Sequence, residues 1–498
     1  MTGIYKIVKQ IKNLFITKQE DASFPILYHD FEELKEKKDR IETVLSRLEF
    51  DFNRIDIKPG RIVSNFEVIP SKGAKPSKLR NLNQEIINDL KLPGTRIINP
   101  TPGRGTITFE IPNDNRTICS IKKGLKSQEL IENNYNLPCL LGMDDNPMIV
   151  DLTKIPHLIA SGAYSEDIIH TSLLSMISMK SPKDLKVVLI DTRKIEFSDY
   201  MPLAKPYLVK LGNDDETIIT DIDKAVMTIK ALNELMYKRY QLLRDAQATN
   251  IKHYNKLVAK GRLGAEDGHE HMPYYVVAIV DYGDLMQTAG NAFEMEISRL
   301  AQLSRAVGIH VIMSSYCFDK NVQTGFIKVN FPGRVAALSH NEYRSRLIID
   351  ASGAECLLDT NDYLINVGNG IKRITSYSLD SLYDIPLIVE DILSKLNLEC
   401  EQTYLPVVGK VTDIVEVCNS DILPEPSIGE VAELIWQEKT PSVSFIQRTY
   451  GLGYNHAGKI MEKLECAGIV GPLIDGNPRE ILVSSIDELH QKLSIIKV

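Results

Sequence analysis

A chain of 498 residues is too long for one core, and at ~100–200 residues per domain it should divide into about three. Its hydrophobic content of 43% and charged content of 25% are those of an ordinary soluble protein. The net charge of −8 excludes a globally basic nucleic-acid binder and leaves any DNA contact to a local patch or an enclosed channel. Seven cysteines, none in a C-x-x-C pair, read as reduced thiols of a cytoplasmic protein. No apolar run approaches the ~18 residues of a membrane span.

Residues 1–24 carry lysines and an apolar spacing (Ile4, Ile7, Val8, Ile11, Leu14, Phe15). This predicts a short amphipathic helix, packed on its own domain or laid against a membrane or a partner. Residues 25–135 read as a small α/β domain. A helix is expected over Phe31–Leu48, strands over Arg61–Ile69, Thr95–Ile98 and Thr106–Ile111, and a second helix over Asn81–Leu90. No cluster of catalytic residue types falls in it.

From 136 to 400 strands alternate with helices, which predicts a parallel sheet with crossover helices. The expected strands are Met148–Val150, Leu158–Ala160, Lys186–Ile190, Tyr274–Val280, His310–Met313 and Gly333–Leu338, and the longest helix is Asp221–Ala248. The stretch after Leu158–Ala160 has the layout of a phosphate-binding loop: strand, tight turn at Ser161-Gly162-Ala163, then an amphipathic run from Ile168 to Met179. Such a loop needs G-x-x-x-x-G-K-[ST], with backbone amides for the phosphates, a lysine for their charge and a hydroxyl for magnesium. From Gly162 the chain reads G-A-Y-S-E-D-I-I, with Asp167 for the second glycine, Ile168 for the lysine and Ile169 for the hydroxyl. The strand Val276–Val280 ends in Asp281, the layout of a magnesium-holding acid. The following residue, normally a glutamate that polarises water, is Tyr282, whose ordinary pKa of about 10 makes it no base at neutral pH. His269, Glu270 and His271, with His253 upstream, have no metal-site spacing and read as a solvated loop.

Residues 401–426 read as a linker with prolines at 406, 424 and 426. In 427–498, helices at 427–437, 442–449 and 455–467 precede two strands, Gly468–Ile474 and Glu480–Val483, around Asp475-Gly476-Asn477-Pro478. Three helices and a β-wing make a winged helix.

From about residue 30 to the end, the chain resembles the FtsK/SpoIIIE DNA translocases. The resemblance rests on FEVIPSKGAKPSKLRNL, PHLIASG, IDTRKIEFSDY, PYYVVAIVDYGDLM, ISRLAQLSRAVGIHVI, TGFIKVNFPGRVA, GAECLL and IQRTYGLGYNHAGKIMEKLECAGIVG, which follow one another in the family's order. It implies a RecA-like motor of the P-loop NTPase type that encircles duplex DNA as a hexamer. It also implies a small preceding α/β domain, a DNA-reading winged helix, and a role in chromosome segregation or cell division. In the winged helix it points to Gln447, Arg448, Asn455, Lys459 and Glu462, with Lys459 where the family has arginine. Asp191 and Glu196 fall at positions near the nucleotide or the subunit interface. Arg305 falls where an arginine finger would reach a neighbour's phosphate.

The departures from the family concentrate on nucleotide handling. Its loop GTTGSGKS is here GAYSEDII; its VDEFADLM is VDYGDLM, keeping Asp281 and Asp284; its ATQRP is Ser314-Ser315-Tyr316-Cys317-Phe318. Glu166 and Asp167 bring charge of the phosphates' own sign, a repulsion of about 4 kcal/mol for a contact at ~4 Å and an effective dielectric of about 20. The same carboxylates suit a helix start, so Ser165, Glu166 or Asp167 is expected to fill the phosphate position or simply to cap the helix. With no catalytic residue left beyond the remnants Asp281, Tyr282 and Arg305, the expectation is an ATPase-deficient relative. It would need no cofactor, with ATP and magnesium entering only if the site has been rebuilt. Duplex DNA, and a homo-hexamer or a mixed ring with an active translocase, are the expected partners. An active translocase with a rearranged site, and a protein scaffold without DNA contact, stay open. The winged-helix region from 427 has seven Lys/Arg against nine Asp/Glu, so isolated it should hold DNA weakly.

Overall fold

The computed structural model describes residues 31–406 apart from 61, 81, 100, 102, 117, 145, 213–215, 317–321, 323, 359–360, 369, 380–383 and 397–399. Beyond these it describes 428–438, 440–442, 445–446, 460–465, 467–471, 479–483 and 485–493. The expected helix of residues 1–24 lies outside them.

In the small domain the helix Phe31–Arg47 buries Leu34, Ile41, Val44 and Leu45, the i, i+3, i+4 stripe of an amphipathic helix. It covers a four-stranded antiparallel sheet in the order β1 (Phe52–Lys58), β2 (Val63–Pro70), β4 (Ile107–Pro112), β3 (Arg96–Ile98). Phe66, Phe109, Ile86 and Leu90 complete its core. Strand β1 goes beyond the expected elements. It is an edge strand that alternates Arg54, Asp56 and Lys58 with apolar residues, and only Ile55 in it is buried.

The motor sheet has ten strands: β5 (Pro138–Met143), β6 (Pro147–Asp151), β7 (His157–Ser161), β8 (Leu185–Asp191), β10 (Ile218–Ile219), β11 (Tyr274–Val280), β12 (Ile309–Ser315), β13 (Gly333–Ala336), β14 (Asp362–Asn366) and β15 (Ile371–Thr375). Their order is β10-β8-β11-β12-β7-β13-β14-β15-β5-β6. The expected parallel sheet is only part of this. Pairing is parallel from β10 to β13 and antiparallel from β13 to β6. The β14–β15 hairpin turns through Gly368 and Gly370, both at positive φ. Its charged Arg373 is accommodated inside because Asp362, diagonally across on β14, accepts two hydrogen bonds from it, at 2.9 and 2.6 Å. Sequence alternation does not reveal such a neutralised strand. Between β15 and β5 the ladder consists of one pair, Thr375 with Met143.

Helices cover both faces, which is why β11, Leu158–Ala160 of β7 and Val311–Met313 of β12 read as apolar runs. Ile222–Asp245 and Asn291–Leu303 pack on one face; Glu166–Met179 and Asp384–Ser394 pack on the other. Asp221 caps the long helix by accepting from the Lys224 N–H at 2.9 Å. In Glu166–Met179 every residue from Ile168 to Ile177 is buried.

Two expected boundaries shift. Cys119 and Ile121 belong to the motor's core, and Ile121 N–H bonds the Ser378 carbonyl at 3.1 Å, so the small domain ends before residue 135. Thr403–Leu405 pairs in parallel with β9 (Val209–Leu211), so the expected linker begins with a motor strand.

Residues 409–498 form a separate compact unit. Its described part holds a helix at Ile428–Glu438, helical residues 460–465, an antiparallel bridge between Val470 and Ile481, and a helix at Ile486–Leu493. Val431, Ile435, Met461, Leu464 and Leu489 form its core. The last helix is an element the sequence reading lacks. Among the described residues no helix is long and apolar enough to cross a membrane.

Candidate functional site: the carboxyl ends of the motor strands

Strand β7 ends at Ser161 and the helix Glu166–Met179 begins after a turn of four residues. Gly162 sits at φ +109°, where a Cβ would meet the Leu338 carbonyl oxygen at 2.8 Å and Ala337 at 2.9 Å. Only glycine fits that close approach. The turn's polar groups are spent on the protein itself. Gly162 N–H donates to the Ser315 carbonyl at 3.1 Å, Ala163 N–H to Leu338 at 3.3 Å, Ser165 N–H to Gly162 and Asp167 N–H to Tyr164. The Ser165 hydroxyl also donates to the Ser315 carbonyl, at 3.3 Å, and caps no helix amide. The Tyr363 hydroxyl holds the Tyr164 carbonyl at 2.8 Å from β14.

Ile168 and Ile169 are fully buried in the core beneath the turn. The positions that would carry a lysine and a hydroxyl therefore face packing and not the mouth. Glu166 and Asp167 begin the helix. Burial pushes both carboxyls up, Asp167 to about 7, and Glu196 nearby adds to the effect. A hydrogen bond to its own backbone N–H partly offsets the effect of burial on Glu166 and sets a carboxyl group at the helix start.

His170, one turn on, is buried between a tyrosine and an acid. Its Nδ1 is 3.1 Å from the Tyr200 hydroxyl and its Nε2 is 3.3 Å from a Glu196 carboxylate oxygen. The hydrogen bond to His170 lowers the Glu196 pKa. Asp191, at the end of β8, accepts the backbone N–H groups of Arg193, Lys194, Ile195 and Glu196 at 2.8–3.1 Å. It shapes the turn that carries Arg193 and Glu196.

Asp281, in the left-handed region at φ 53°, ends β11. It is ion-paired with Arg193 and accepts from the Ser315 hydroxyl at 3.4 Å. Burial raises its pKa against the pull of Arg193. A guanidinium thus neutralises the acid at the end of β11. Tyr282 is fully buried and its hydroxyl donates to the Val322 carbonyl, so it faces away from any water at the mouth.

Gly162, Ser165, Glu166, Asp167 and Asp281 therefore gather at one end of the sheet. Arg305 does not join them: it is exposed in the turn before β12. Seven residues of strand separate that turn from Ser315, about 23 Å. Gln447, Arg448, Asn455 and Lys459 lie outside the described residues, and Glu462 is exposed. The histidines near 270 correct the solvated-loop expectation. His269 is buried against Tyr254, whose hydroxyl is 3.0 Å from its Nδ1, and His271 is 3.1 Å from Asp184. Among the described residues no group of three or more His, Cys, Asp or Glu could hold a metal ion. Arg193 and His170 were not singled out from the sequence, and Ser315 was read only as part of a changed segment; the one signal for Arg193 was its place two residues after a strand-ending acid.

Three family profiles match in succession: the FtsK alpha domain over residues 18–113, the FtsK/SpoIIIE family over 120–318 and the FtsK gamma domain over 425–484. The chain belongs to the FtsK/SpoIIIE family. It is 30% identical to DNA translocase SftA of Bacillus subtilis over 92% of this chain and 47% of that protein. It is 34% identical to DNA translocase FtsK of Chlorobaculum tepidum over 95% of this chain and 58% of that protein. The chain thus spans about half the length of the curated relatives it matches. Among solved structures, the pCW3 conjugation coupling protein TcpA, in its monomer form with ATPgS, is similar at 18% identity and TM-score 0.49, over 72% of this chain and 99% of that one.

Proposed function

We propose that this chain is a DNA translocase relative that has given up ATP binding and hydrolysis. It contacts duplex DNA in the cytoplasm as a non-catalytic ring subunit, alone as a hexamer or beside an active translocase, in chromosome segregation or cell division. The observation that carries this reading is the burial of Ile168 and Ile169 in the core, at the positions where a lysine and a hydroxyl would have to meet phosphates and magnesium. No cofactor is needed on this reading: Glu166 brings a carboxyl group to the helix start, and Arg193 supplies the cation beside Asp281. The family's namesakes among the relatives are DNA translocases, which favours DNA as the substrate over a purely protein role.

The test is calorimetric titration of the purified chain with ATP and magnesium, followed by steady-state hydrolysis with and without duplex DNA. No heat up to millimolar ATP and no DNA-stimulated turnover are expected. Micromolar binding, or turnover that rises with DNA, overturns the proposal in favour of a rebuilt, active site.

A further inference from the structure

The helix Ile251–Ala259 and the turn after it carry Lys252, His253, Lys256, Lys260 and Arg262, all exposed, and no acid from 251 to 264. Ile251 and Tyr254 bury the opposite face. We propose that this stripe binds the phosphate backbone of duplex DNA, at a place apart from the winged helix and from the carboxyl ends of the strands.

Three observations point there. First, several cations on or beside helices elsewhere are ion-paired with acids one turn away: Lys38 with Glu42, Arg40 with Glu36, Arg346 with Glu342, Lys395 with Asp391. Among the described residues, Lys252, Lys256, Lys260 and Arg262 have no such partner. Second, a helix dipole accounts for cations at a C-terminus, as with Lys256 and Lys260, but it opposes Lys252 in the first turn. Lys252 follows the Asn250 cap directly after Ile251, and that first turn holds no acid. Third, Lys252, Lys256 and Lys260 recur every four residues, about 6 Å apart along the axis. Every second phosphate of a DNA strand lies about 7 Å further along the duplex. The row fits a repeating polyanion better than a single anionic group. Glu266, Asp267 and Glu270 follow in the next loop and bound the stripe on that side. The match is to the phosphate spacing, so the contact proposed is to the backbone and carries no sequence information.

The experiment measures affinity of the full chain for a random-sequence duplex from 50 to 300 mM salt, by anisotropy. Wild type is compared with a Lys252→Gln, Lys256→Gln, Lys260→Gln variant. A control variant, Lys72→Gln, Lys75→Gln, Lys78→Gln, removes the same charge from exposed positions of the small domain. Each lost phosphate contact reduces the slope of log affinity against log salt by about 0.9. The stripe variant should therefore lose close to three units of slope while the control keeps the wild-type value. Binding by the wild type with the same slope in the stripe variant overturns the stripe and leaves the DNA reading standing. Equal loss in both triple variants reduces the effect to net charge and also overturns the stripe. No salt-dependent binding by the wild type overturns both readings.

Discussion

Arg193, from the turn after β8, is ion-paired with Asp281 at the end of β11. A cation from the chain itself therefore meets the acid that a metal would otherwise need. Arg193 is about half exposed (54%), so after solvent screening the pair contributes about 1 kcal/mol or less. Arg193→Ala should lower the melting temperature by only a few degrees. It should leave magnesium–ATP binding absent, because the turn and the buried isoleucines are untouched. Calorimetry on the variant checks this, and magnesium-dependent ATP binding in Arg193→Ala would make the arginine the sole block.

Ile168→Lys tests the packing directly. The side chain is fully buried among apolar neighbours, and an unpaired ammonium there is among the most damaging of replacements. A loss of about 4 kcal/mol or more is expected, read as a large drop in melting temperature or as insoluble protein. A folded variant of wild-type stability would show that position 168 can turn to the mouth.

The pH dependence follows from Asp167. Its folded-state pKa is raised to about 7 from 3.8 by burial, so the folded state holds a proton that the unfolded state has released. Stability from this group is present below the unfolded value and declines as pH rises from about 4 to about 7. Asp167→Asn should raise the melting temperature relative to wild type at pH 8 and change it little at pH 4. The opposite order would place a cation beside this carboxylate.

Gly162→Ala places a methyl group 2.8 Å from the Leu338 carbonyl oxygen at a φ of +109°. Overpacking and backbone strain together should cost about 2–4 kcal/mol. Hydrogen exchange should rise at the Ala163 amide, which bonds Leu338. Unchanged protection there would mean that the turn relaxes freely.

The sequence revealed the elements whose burial is two-sided. β11 and the centres of β7 and β12 are apolar runs, and the departures after Gly162 are visible because the phosphate-loop spacing fixes each position. The antiparallel half of the sheet escaped because β14 and β15 are short and hide a charge, Arg373, behind Asp362. The pairing of Arg193 with Asp281 and the stacking of His170 on Tyr200 join residues far apart in the chain, and a local pattern carries no trace of them. Tyr282 was legible as a poor base, but not as a core residue anchored to Val322.

Ten consecutive buried residues, Ile168 to Ile177, give the helix after the turn an unusual mutational character. A helix on a protein surface can drift on its outer face, whereas this one has no face on which change is free. Homologues sharing this packing would keep the segment nearly constant, and that constancy would record close contact in an interior, with no bearing on a reaction. Ranking positions by invariance alone would mark this helix as the heart of an active site.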